Sequence, residues 1–180
     1  MERKRVGNPH KIGADRRYGA AVISISTSRF LKYGSVNTPE EADDISGRII
    51  IDLLENAGHK LHRYTLISDE GRSIAQTVKA HVNAVNVIIT TGGTGLAPRD
   101  VTIEAIQKIF QKDIPGFGEL FRFISYEQIG SSAMLTRAAS GIIENTAVFC
   151  LPGSPNAVRL AMETLILPEL QHVLLHVSEH

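Results

Sequence analysis

The chain has 180 residues, 43% of them hydrophobic and 21% charged, a balance that suits one folded domain with a buried core and excludes a disordered chain. Nineteen Lys and Arg offset nineteen Asp and Glu, so there is no chain-wide basic surface for nucleic acid. No apolar run approaches the roughly 20 residues needed to cross a bilayer, MERKRVGNPH lacks the apolar segment of a secretory signal, and the single cysteine, Cys150, excludes an intrachain disulfide framework. Together these features predict a cytoplasmic protein with no membrane or nucleic-acid partner.

Residues 1–17 carry Arg3, Lys4, Arg5, Lys11, Arg16 and Arg17 against Glu2 and Asp15, with Gly7, Pro9 and Gly13 among them. They read as a flexible basic arm ahead of a single domain over residues 18–180. Residues 20–25 form a continuous small and β-branched run, as expected for a strand covered on both faces. After a polar loop, Ile45, Ile49, Ile50, Leu53, Leu54 and Ala57 fall on one face of a helix that Gly58 closes. Residues 61–67 predict a second strand, and Ile74, Val78 and Val82, four apart, a second amphipathic helix. Val87-Ile88-Ile89 is the next buried strand. Ala105, Ile106, Ile109 and Phe110 predict a third helix that ends before Pro115. Ile142-Ile143 and Thr146–Leu151 flank Glu144-Asn145, the spacing of a two-residue hairpin. A last helix starts near Pro155, and Pro168 kinks or restarts it. The alternation predicts an α/β three-layer sandwich, a mostly parallel sheet with a β-hairpin and helices on both faces. In such sheets ligands bind beyond the carboxyl ends of the strands.

The loop over residues 90–102, TTGGTGLAPRDVT, links a buried strand to a helix. Gly92, Gly93 and Gly95 allow positive φ and let backbone N–H groups approach a phosphate. The helix N-terminus adds partial positive charge, and Thr91 and Thr94 offer hydroxyls. The spacing matches neither a Walker A loop nor a dinucleotide fingerprint; a tight glycine turn is the alternative to an anion cradle. Asp100 suits either a helix N-cap or a carboxylate that binds Mg²⁺ near phosphates. Asp69, in Ser68-Asp69-Glu70-Gly71, is either a turn residue or a second carboxylate brought beside Asp100 by neighbouring strands. Two carboxylates and a phosphate cradle are the constellation for metal-assisted phosphoryl or nucleotidyl transfer. Thr27, Ser28 and Arg29 suit a polar rim after the first strand, and Asp43 or Asp44 caps the first helix. Ser154 at N-cap and Pro155 at N1 make a well-formed helix start that exposes N–H groups to a second anionic end. The seven histidines show no metal-ligand spacing: His59 and His62 fall in a strand, and His172 and His176 on the last helix lack cysteine or acidic companions. Cys150, inside AVFCL, reads as a buried thiol.

Six segments stand in order along the chain: Asp44-Ile45-Ser46-Gly47, Thr91-Gly92-Gly93-Thr94-Gly95, Arg99-Asp100-Val101-Thr102, Pro115-Gly116-Phe117-Gly118-Glu119, Arg137-Ala138-Ala139-Ser140-Gly141 and Pro152-Gly153-Ser154-Pro155-Asn156-Ala157. With them the chain resembles the molybdenum-cofactor biosynthesis proteins of the MogA/MoaB type, the molybdopterin adenylyltransferase family, over about residues 19–174. Thr27-Ser28-Arg29, Phe121-Arg122-Phe123-Ile124-Ser125 and Ile129-Gly130 lean toward the MoaB branch. Arg29 stands where many MogA members have an Asp.

The resemblance implies Mg²⁺- and ATP-dependent adenylylation of molybdopterin with release of pyrophosphate. It implies Asp69 and Asp100 as the catalytic pair that holds Mg²⁺. It implies a substrate-binding set of Thr27, Ser28, Asp44, Ser46, Thr91, Gly92, Gly93, Thr94, Gly95, Arg99, Pro152, Gly153, Ser154 and Asn156. The glycine loop would hold the adenylyl phosphate, and the Gly153-Ser154 helix start the pterin. It further implies a homo-oligomer, a trimer or dimer of trimers, for which Phe117, Phe121, Phe123 and Tyr126 offer an apolar surface unless they fill the domain's own core. Two other readings compete: a molybdopterin-binding protein without turnover, and a relative on the same fold that hydrolyses nucleotide-like pyrophosphates.

Overall fold

The computed structural model describes residues 16–178. The basic arm read over residues 1–17 lies outside the described residues except for Arg16 and Arg17, which are exposed. Strand β1 (Gly19–Ile25) pairs in parallel with β2 (Lys60–Ile67) on one side and β3 (Val87–Thr91) on the other. β3 pairs in parallel with β6 (Thr146–Leu151), and β6 is antiparallel to β5 (Ala139–Ile143), which carries the two-residue β4 (Lys112–Asp113) at the edge. The order is β2-β1-β3-β6-β5-β4. This is the expected mixed sheet, with β5 and β6 as the predicted hairpin; Glu144 in its turn takes φ 52°.

Strand alternation splits the core into two layers. Ala20, Val22, Ala147, Phe149 and Leu151 face one cluster. It is closed by Ile50 and Leu54 of α2 (Ile45–Asn56), Phe117 and Phe121 of α5 (Pro115–Ile129), Val158 of α6 (Pro155–Ala161) and Leu170 of α7 (Leu167–Ser178). Ala21, Ile23, Ile25, Val148 and Cys150 face the other cluster. Ile74 and Val78 of α3 (Gly71–His81) and Ile103 and Ile106 of α4 (Thr102–Gln107) cover it. A sheet buried on both faces removes apolar area from water twice per strand, which is why its strands read as unbroken apolar runs.

Three expectations change. The polar loop after β1 is a helix, α1 (Thr27–Tyr33), started by Ser26, whose hydroxyl accepts the Arg29 N–H. The third helix ends at Gln107, short of Ile109 and Phe110, because the Phe110 ring lies against Gly141, where a Cβ would meet it at 2.6 Å. The chain turns there so that the Gln111 N–H donates to Ile142 O at 2.9 Å, opening β4. Pro115 then starts α5, a helix that the sequence reading did not assign. His59 precedes β2, so only His62 lies in the strand. The last helix runs on from α6 through a π-turn over Met162–Ile166 into α7, with Pro168 just after that irregular turn.

Candidate functional site

The carboxyl ends of β2, β1, β3 and β6 lie side by side, and the glycine loop leaves β3 in their middle. Gly92 and Gly93 take φ +101° and +62°, conformations open to glycine and costly for other residues. A Cβ on Gly92 would lie 2.2 Å from Ile25 O, so the loop presses directly on the end of β1. Hydrogen bonds then fix the backbone to two other elements. The Gly92 N–H donates to Leu151 O at 3.0 Å, and the Thr91 hydroxyl to Pro152 O at 3.0 Å. The Thr102 N–H donates to Gly93 O and its buried hydroxyl to Gly92 O, both at 3.0 Å. Each such bond nets about 1 kcal/mol, and more is lost when a buried partner is orphaned.

Two carboxylates flank this loop. Asp69 Oδ2 accepts the N–H of Thr27 at 2.9 Å and its hydroxyl at 3.0 Å, while the Asp69 N–H donates to Thr27 Oγ1 at 3.0 Å. Its Oδ1 lies 2.5 Å from where a Cβ on Gly93 would stand. Asp100 Oδ2 accepts the Ala97 N–H at 3.0 Å and lies 2.5 Å from a would-be Cβ on Gly95. The two acidic turns thus reach one loop, two residues apart. Asp100 is not the helix cap that spacing allowed. α4 has Val101 at its N-cap and α3 has Glu70; the Asp69 carboxylate instead receives the first N–H of α1.

Beside the loop opens a cleft of about 740 Å³. Gly92, Gly93, Thr94, Gly95 and Asp100 form one wall, and Pro152, Gly153, Ser154 and Asn156 another. The Ser154 hydroxyl caps α6 by accepting the Ala157 N–H at 3.3 Å. The remaining predicted residues do not line the cleft. Ser46 donates its hydroxyl to Gly153 O at 2.8 Å, and Thr91 holds Pro152, so both position the second wall. Asp44 occupies the N-cap position of α2 without a capping bond from its side chain; buried, it accepts the Tyr64 hydroxyl at 2.8 Å. Burial first, then the Asp44 charge, push the Tyr64 phenol above its ordinary range. Asp69, bonded to Thr27, meets the loop outside the cleft, exposed Ser28 pairs with the Ser26 hydroxyl at 3.3 Å, and Arg99 is exposed away from the walls.

The third wall was not legible as a site. Ser125, Gln128 and Ile129 at the end of α5, with Leu135, Thr136 and Arg137, complete it. Among the described residues Arg137 is the one cationic side chain lining the cleft. Its Nη1 donates to Gly95 O at 3.1 Å and its Nη2 pairs with Glu104. Burial alone would raise the Glu104 carboxyl, but a backbone N–H, Arg137 and Lys108 hold it below the ordinary carboxylate range. Arg137 opens one of the six family-like segments, yet nothing in its spacing assigns it to a cleft.

Among the described residues no three His, Cys, Asp or Glu side chains converge as a metal cage. His172 and His176 approach through their Nε2 atoms at 3.0 Å, and His172 Nδ1 meets Glu169 at 3.3 Å, the acidic companion that the sequence reading lacked. Cys150 is fully buried, which pushes its thiol up to about 12. No helix among the described residues is long and apolar enough to cross a membrane.

A family model described as a probable molybdopterin binding domain matches residues 21–172. The chain belongs to this family. Molybdenum cofactor biosynthesis protein B of Bacillus cereus is 48% identical over 167 residues, which span 91% of this chain and 93% of that protein. A crystal structure of a Molybdenum cofactor biosynthesis protein B superposes with a TM-score of 0.84 at 45% identity, covering 93% of this chain and all of the other. A structure titled tungsten cofactor synthesizing protein MoaB from Pyrococcus furiosus gives 0.78 at 36%, covering 92% and 100%. The chain is thus a molybdenum cofactor biosynthesis family member with the six-stranded α/β architecture of its MoaB and MogA neighbours.

Proposed function

We propose that this chain transfers the adenylyl group of ATP to molybdopterin. A terminal phosphate oxygen of molybdopterin forms a bond to the α-phosphorus of ATP, the bond to the β-phosphate oxygen breaks, and pyrophosphate leaves. The observation that carries the reading is the pair Asp69 and Asp100, held on separate turns and converging on one glycine loop. The donor set suits Mg²⁺, a hard cation that takes one or two carboxylates and completes its shell with waters and substrate phosphates. Asp69 and Asp100 would hold it, and it would supply charge neutralisation of the triphosphate. The chain's own contribution is placement. The loop at Gly93 to Gly95 offers backbone N–H groups on a frame that Leu151, Pro152 and Thr102 hold in place. The wall at Pro152 to Asn156, supported by Ser46, faces that loop across the cleft and receives the pterin.

The test is pyrophosphate release from purified protein, molybdopterin and Mg-ATP. Asp69→Asn and Asp100→Asn are each expected to reduce release at least a hundredfold while the thermal melt stays within a few degrees of the parent. Undiminished turnover by either variant removes that residue from the metal role. Molybdopterin binding without any pyrophosphate release by the parent replaces the transferase with a binding protein.

A further inference from the structure

The cleft's walls carry one anionic group, Asp100, and one cationic group, Arg137; all other lining side chains are neutral. A ligand with several phosphate charges needs a cation at contact distance, because neutral donors alone compensate its lost hydration poorly. Arg99, the cation that the sequence places in the loop, is exposed and outside the walls. Arg137 is half-buried, anchored through Nη1 to the loop itself, and its second arm rests on Glu104, a carboxylate of α4 that does not line the cleft.

We propose that Arg137 forms a phosphate subsite of this cleft and that Glu104 is its resting partner, which an incoming phosphate displaces. The proposal deepens the adenylyl-transfer reading and rests on its assignment of an anionic substrate to this cleft. A guanidinium carries five N–H donors in a planar fork that fits phosphate oxygens in pairs. One donor stays on Gly95 O, so the fork keeps its place while the others change partner. The exchange is inexpensive because Glu104 is half exposed, and an ion pair of that kind contributes little net stability. A phosphate group brings more charge and more acceptor oxygens to the same donors. Glu104 thus acts as a competitor that keeps the fork aligned when the cleft holds no ligand.

The competition has a sign that a merely structural pair lacks. Inorganic pyrophosphate at fixed Mg²⁺, titrated by calorimetry, is the probe. Arg137→Gln is expected to weaken its binding by about tenfold or more, Arg137→Lys by less, since the charge remains without the fork. Glu104→Gln is expected to tighten binding by about threefold, and the double variant to match Arg137→Gln alone. Thermal melts check that each variant is folded; if Arg137→Gln does not fold, Arg137→Lys and Glu104→Gln decide. Parent-like affinity in folded Arg137→Gln, or weakened binding in Glu104→Gln, overturns the subsite and leaves the transferase reading intact. A parent protein that binds no pyrophosphate, yet still releases it from ATP and molybdopterin, also overturns the subsite alone; one that does neither removes both.

Discussion

Single residues in this chain often do something other than the nearest local rule allows. Asp44 stands where a helix cap belongs, but its carboxylate turns inward to the Tyr64 hydroxyl. Asp69 accepts the first N–H of a helix that begins 42 residues earlier. Spacing in the sequence gives the residue type and the turn, whereas the partner comes from a strand order that local pattern does not contain. Arg137 was missed for the same reason: its partners Gly95 and Glu104 are 42 and 33 residues away. Cys150 met its expectation, and its burial has a measurable consequence. Burial pushes the folded thiol up to about 12, above the unfolded value of about 8.5. The folded state therefore keeps a proton that the unfolded state gives up, so this group's stabilising effect is complete below about pH 8.5 and is lost as pH rises toward 12. Tyr64 acts in the same direction. Between pH 8 and pH 10.5, the parent is expected to lose about 2–3 kcal/mol more unfolding free energy than Cys150→Ala does over the same interval. Equal losses in urea melts would contradict this.

At the scale of elements, legibility followed burial. The strands and α2, α3 and α6 carry apolar patterns because they face one of the two cores. α1 escaped notice because none of its seven residues is fully buried, so no stripe marks it. The two-residue β4 has no period at all, and the apolar Ile109 and Phe110 ahead of it pack against the core from a turn. The glycine loop was legible as a loop, but its glycines divide by role only in three dimensions. Gly92 serves the fold: with φ +101° and Ile25 O at 2.2 Å from a would-be Cβ, Gly92→Ala is expected to cost about 3 kcal/mol or more. Gly95 serves the site, since its added methyl would meet only the Asp100 carboxylate. Gly95→Ala is expected to melt within a few degrees of the parent and to lose pyrophosphate release by tenfold or more. Thermal melts and the turnover assay on both variants check the division; the reverse pattern refutes it.

For the molecule as a whole, the aromatic segment of α5 splits in two. Phe117 and Phe121 enter the core, stacked with centroids 6.2 Å apart, whereas Phe123 and Tyr126 remain 59% and 62% exposed. Leu120 is exposed on the same helix, and Met134 lies with Phe123 and Tyr126 around one shallow hollow. The homo-oligomer implied by the family resemblance would cover it. The double variant Phe123→Glu, Tyr126→Glu is expected to shift the light-scattering mass from a multiple of the chain to a single chain with its melt largely kept. An unchanged multiple would place the contact elsewhere.

The cleft is drawn from distant stretches of the polypeptide, with one wall made before residue 101 and the others after residue 124. Gly92's N–H meets its acceptor only when Leu151 arrives to fill the gap beside β3. The glycine loop thus gains its backbone anchor only from a strand that the chain supplies about 60 residues later. A product truncated before Thr146 would therefore lack the wall at Pro152 to Asn156 and leave the Gly92 N–H without its acceptor.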